Sequence, residues 1–132
     1  MALFALALSA AVQAHHSTAA FDGDKSVTLT GTVSKVDWVN PHCYVHIVVD
    51  DKGQQVAWAI LAGTPTLNIR NGWKYDDVKV GDRVTVVGRP SRDENSHSAI
   101  LQRITLADGR TIAGPREFLT IPTQPPGEPA AP

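Results

Sequence analysis

An alternation of apolar and polar residues that changes phase once, near residue 34, constrains this chain more than any other feature. Val27, Leu29, Gly31 and Val33 are interleaved with Thr28, Thr30, Thr32 and Ser34, the period of a strand with one buried face. Val36 and Trp38 continue the apolar series on the other parity. One continuous inner face therefore requires a β-bulge at Ser34–Lys35, where an extra residue restores the phase. Gly31 inside the strand permits the tight bend that barrels need at corners. Asn40-Pro41 ends the strand, because proline cannot donate to the ladder.

The rest of the chain adds four more strands. Residues 43–50 place Cys43, Val45, Ile47 and Val49 on one face and Tyr44, His46 and Val48 on the other. Asp51-Lys52-Gly53 makes a tight turn, and Val56, Trp58 and Ile60 share a face of a third strand over 54–61. Thr64 is placed to cap a short helix with Pro65 in its first position, and Asn71-Gly72 stops it. Strands over 83–88 and 99–106 follow, with a short return at Thr111-Ile112 after the Asp108-Gly109 turn. Three meandering strands, a helix and two strands define an all-β protein with one short helix, a small five-stranded OB-like Greek-key barrel. An immunoglobulin-like sandwich needs about seven strands and no helix at that point.

Composition limits the functions. The chain has 132 residues, of which roughly 100 belong to one small domain with a single core. Its net charge is −1 and its charges are interspersed, so no basic stripe is present for nucleic acid. Cys43 is the only cysteine, so the core cannot lean on an intramolecular disulfide.

Residues 1–14 read as a signal peptide, ending in Val12-Gln13-Ala14 before His15. The apolar stretch is shorter than the ~20 residues of a membrane span. The leader has no basic residue at its start, so the recorded start is expected to lie downstream of the true one. The expected organisation is a signal peptide over 1–14, an N-terminal arm over 15–26, the barrel over 27–114 and a proline-rich disordered tail over 115–132. The expected location is the periplasm, as in Gram-negative export.

Phe21-Asp22, the run from Thr28 to Val33, and Trp38-Val39-Asn40-Pro41-His42 together resemble the start of an exported bacterial family, DUF6152. Arg70-Asn71-Gly72-Trp73, Val80-Gly81-Asp82 and Leu106-Ala107-Asp108-Gly109-Arg110 resemble its later parts, and His15-His16-Ser17 its mature start. The resemblance covers about residues 14–114. It implies an exported, barrel-like domain and supplies no activity. Asn40, Pro41 and His42 match the family's Asn-Pro-His, whereas Cys43 and His46 are particular to this sequence.

Cleavage after Ala14 gives His15 a free amine beside its imidazole, a donor pair suited to Cu(II). His16 and His42 are the candidates to complete the shell, and an incidental pair of histidines is the competing reading. His42 and His46 lie four strand residues apart, ~13 Å, too far to share one ion without a bend. Cys43 shares parity with the inner residues and reads as a buried small hydrophobe. His97, in a polar loop, reads as solvated.

Trp38, Tyr44 and Trp73 are the candidates for a stacking surface, against the alternative that the tryptophans close the barrel ends. Trp58 shares parity with Val56 and Ile60 and reads as core. No nucleophile elbow, zinc-protease helix or phosphate loop occurs. The expected function is therefore a non-enzymatic, exported binding domain, with copper as the candidate cofactor. The alternatives are a metal-free accessory module docking an exported redox enzyme, and an oligosaccharide-binding OB domain.

Overall fold

The computed structural model describes residues 18–119. Its elements are β1 (Val27–Asp37), β2 (Tyr44–Asp51), β3 (Gln54–Leu61), α1 (Pro65–Arg70), β4 (Arg83–Pro90), β5 (Ser98–Thr105), β6 (Thr111–Ala113) and α2 (Arg116–Leu119). β1 lies between β2 and β4, both antiparallel to it. β3 pairs with β2, and β5 with β4. A short parallel ladder, Ala59 to Ser98 through Leu61 to Ile100, joins β3 to β5 and closes the barrel. β6 adds to the end of β5. Closure in the order β1-β2-β3-β5-β4, with a helix between β3 and β4, is the OB-fold topology.

The phase change in β1 is a bulge. Val33 pairs with Ile47 and Lys35 with His46, so Ser34 is the additional residue. Val33 and Val45 face the core despite the slip, and Val36 packs against it. Gly31 lies where β1 crosses from β4 to β2, and a Cβ there would sit 2.5 Å from the Val48 carbonyl oxygen. A side chain is excluded by the close approach of the two backbones.

Ile47, Ile60, Val84, Val86, Leu101 and Ile104 fill the interior and are fully buried. Each contributes roughly 1.5–3 kcal/mol by leaving water. α1 closes one end. Thr64 Oγ1 accepts from the Leu67 N–H at 3.1 Å, with Pro65 in the first turn, and Asn71 caps the other end. Trp73 follows at 3% exposure and seals this end of the barrel.

A second, smaller cluster covers the outside of the β3–β5 seam. Leu61 and Ile100 are register partners, and by strand alternation Ile100 points away from Ala99 and Leu101, which belong to the interior. Phe21 and Phe118 pack on this pair, and Tyr44 packs against the cluster. The folded chain thus continues past residue 114. Gly114 and Pro115 are buried, and Pro115 crosses Gly63 so closely that a Cβ on Gly63 would come within 2.5 Å of its ring.

The arm before β1 is likewise tied down. Phe21 bridges to Ser91, the Asp22 N–H donates to Pro90 O at 2.8 Å, and the Arg92 N–H donates to Ala20 O at 2.9 Å. Among the described residues no helix is long and apolar enough to cross a membrane. The expected leader, His15, His16 and residues 120–132 of the expected tail lie outside the described residues.

Candidate functional site

The segment between β1 and β2, residues 38–43, carries most of the residues singled out in the sequence. The Asn40–Pro41 peptide is cis. Two backbone bonds then fix the end of the segment: the Cys43 N–H donates to Gly63 O at 3.0 Å, and the Ala62 N–H donates to Cys43 O at 2.9 Å. Gly63 is itself held by Asn68, whose Oδ1 accepts from the Gly63 N–H at 3.1 Å and whose Nδ2 donates to Gly63 O at 3.2 Å. Asn68 is the buried polar side chain of the described core. It joins α1 to the β3 exit and, through Gly63, to the backbone that carries His42.

His42 is half-buried. Its ring makes no hydrogen bond among the described residues. His46 differs. Its Nε2 meets Asp37 Oδ2 at 2.9 Å, and Lys35 Nζ holds the other Asp37 oxygen at 3.0 Å. These two partners, Lys35 first and His46 second, hold the Asp37 carboxyl below its ordinary range despite opposing desolvation. Tyr44 stacks on the His46 ring at 6.1 Å and 27°. His46 is thus a half-buried, paired residue of the outer face.

Cys43 is buried, with Sγ 3.9 Å from Val39 O. Burial pushes its thiol up from the ordinary value, as suits a small apolar side chain of the core. Its place in the interior agrees with its parity in the sequence.

The aromatic candidates separate. Trp38 is half-buried and meets Trp73 edge-on at 6.0 Å. Trp73 is interior, so it supports Trp38 from behind. Tyr44 belongs to the outer cluster with Phe21 and Phe118. The ring that accompanies Trp38 in solvent is Tyr75, 5.9 Å away at 84°. Trp58 packs against the main core, as its parity implied, and meets the His97 ring at 5.3 Å. Asn68 and Tyr75 were not singled out in the sequence. Asn68 sits in an ordinary-looking helical turn, and only the position of Gly63 makes it a clamp. Tyr75 lies in a run with no periodicity.

Among the described residues no three His, Cys, Asp or Glu side chains converge where a metal ion would fit. Among the described histidines, His46 is bonded to Asp37, whereas the rings of His42 and His97 make no hydrogen bond.

The barrel order, the helix between β3 and β4 and the arm-capped seam define an OB-fold domain. The chain belongs to DUF6152, a family of unknown function whose profile matches residues 3–101, a range that holds the motifs noted in the sequence up to Asp82 and not Leu106–Arg110. Among solved structures it is similar to Rim1, the mitochondrial single-stranded DNA binding protein of S. cerevisiae. The identity is 16% and the TM-score 0.49, over 63% of this chain and 93% of that one. It is also similar to yeast Stn1 and Ten1, with 13% identity and a TM-score of 0.43 over 62% of this chain and 42% of that one. No curated protein sequence matches it.

Proposed function

We propose that this protein is an exported, periplasmic, non-enzymatic OB-fold domain that binds copper between its mature N-terminus and the β1–β2 connection. His15 supplies its amine and imidazole, and His16 and His42 complete the shell. The donors are nitrogen throughout, which suits Cu(II).

One observation carries the reading: the route by which the arm enters the fold. Phe21 is anchored on the seam cluster against which Tyr44, the first residue of β2, also packs. His42 stands two residues before Tyr44. The six residues from His15 to Phe21 span at most ~20 Å when extended, a tether long enough to cross a small barrel wall. His46, the other histidine of this wall, is occupied by Asp37, which leaves His42 as the partner. Nucleic acid is not proposed as a ligand, because the charges are mixed and the net charge is −1.

The test is the intact mass of the exported protein measured together with its metal content after gentle purification. A mass that begins at His15 with about one copper per chain is the expected result. A mass beginning elsewhere, or a His15-initiated chain that carries no copper and takes up none, overturns the reading.

A further inference from the structure

By strand register, one row of residues on the outer face runs round the barrel wall: Asp37, Tyr44, Leu61, Ile100 and Arg89. Its middle is the seam, where Phe21 and Phe118 pack on Leu61 and Ile100 beside Tyr44. Its two ends are charged. Asp37 is satisfied by Lys35 and His46, whereas Arg89 is not satisfied. Among the described residues, its Nε is the one buried side-chain nitrogen or oxygen with no hydrogen-bond partner. Its Nη1 donates to Lys25 O at 3.3 Å, a long contact to a neutral group.

The acids of this neighbourhood serve other groups. The Asp22 carboxylate is shared by Lys25 at 3.8 Å and Arg92 at 4.0 Å. Asp93 accepts from the Asn95 N–H at 3.0 Å, and Asp24 and Glu94 are exposed. None of them forms an ion pair with Arg89 among the described residues. A second arginine without an ion pair there is Arg103, exposed and opposite Val87 on β4. Val87 stands two residues before Arg89 on the same strand face, so Arg89 and Arg103 are diagonal neighbours, positions about 7–8 Å apart that long side chains can bridge.

From the unanswered Nε and the free charge beside it we infer that Arg89 holds a small oxyanion, a carboxylate or a phosphate, at the edge of the seam cluster. A guanidinium donor shut from water without an acceptor is costly, and an oxyanion removes that cost. With Nη1 turned to the Lys25 carbonyl, the edge left over is the fork of Nε and Nη2. Two parallel N–H groups of this kind match two oxygens of one carboxylate or phosphate. Ile100, the register partner of Arg89, belongs to the apolar cluster, which keeps water from one side of the bond and strengthens it. Arg103 meets the remaining charge. None of these residues belongs to the β1–β2 connection, so the site stands apart from the copper proposal.

The experiment is calorimetric titration of the full-length protein with inorganic phosphate and with sodium acetate, ionic strength being held with sodium chloride, and the thermal midpoint read alongside. Saturable binding of about one ion per chain is expected, with a midpoint that rises as the site fills. Whichever of the two ions binds more tightly names the class of ligand. R89K keeps the charge and loses the fork, so it should bind about tenfold more weakly or worse. R103Q, which leaves the fork intact, should weaken binding by less than R89K. K52Q, in the β2–β3 turn, should change nothing. The inference is overturned if the parent binds neither ion, the result expected where a buried water serves Nε. It is overturned too if chloride alone raises the midpoint as much, if R89K binds like the parent, or if K52Q weakens binding as much as R89K.

Discussion

Asn68 and Asp77 show how single side chains hold this barrel's connections in place. The Asn68 amide satisfies both backbone groups of Gly63 in a buried setting. Asn68→Ala leaves the Gly63 N–H buried without a partner, a loss of about 2 kcal/mol. Urea titration should show a lowered midpoint with an unchanged slope, and an unchanged midpoint would show that the clamp is dispensable. Asp77 accepts from the Lys74 backbone and from Arg110, and the Lys74 bond is the main cause that holds its carboxyl below the ordinary 3.8. A carboxyl lowered in the folded state adds stability that is full above its unfolded value and disappears as pH falls through the folded one. Asp77→Ala should therefore destabilise the protein at neutral pH and leave the difference from the parent shrinking below about pH 4. Thermal melts at both pH values check the sign; a difference that grows in acid contradicts it.

Among the elements, β1 and the seam cluster have opposite histories. β1 was legible in its phase: the parity slip required a bulge, and Ser34 supplies it, whereas Gly31, read as permitting a bend, is needed because the β1 and β2 backbones approach closely there. Gly31→Ala should cost about 1–3 kcal/mol, because a Cβ would sit 2.5 Å from the Val48 carbonyl oxygen and backbone must shift to admit it. The cap of α1 was legible for the same reason, since Thr64 and Pro65 act within one turn. The seam cluster was not. Phe21 and Phe118 lie almost a hundred residues apart in chain positions with no period, and α2 has four residues, too few for a helical stripe. Their association exists only once β3 and β5 have met. Phe118→Ala should lower stability by about 3 kcal/mol while leaving the barrel strands paired, which a melt read by both far- and near-ultraviolet circular dichroism can separate. The candidate site divides in the same way. Cys43 and Trp58 could be placed inward from parity, whereas His46 with Asp37 and Trp38 with Tyr75 are contacts between segments that the sequence keeps apart.

At the scale of the molecule, the described residues form a closed barrel whose arm is bonded to Pro90 and Arg92 and packs, through Phe21, on the cluster that Tyr44 also meets. On the proposed reading, that pinning is the point from which the residues before 18 reach His42. If copper binds only the folded form, a free concentration a hundredfold above Kd should stabilise the protein by about 2.7 kcal/mol, and a chelator should remove the gain. The central claim is that the new N-terminus is itself a ligand, and competition titration with Cu(II) tests it most directly. A protein beginning at His15 is compared with one carrying an additional alanine before His15, and with His42→Ala beginning at His15. The account predicts far tighter binding by the first than by the second, with His42→Ala weakened as well; equal affinities for all three would contradict it.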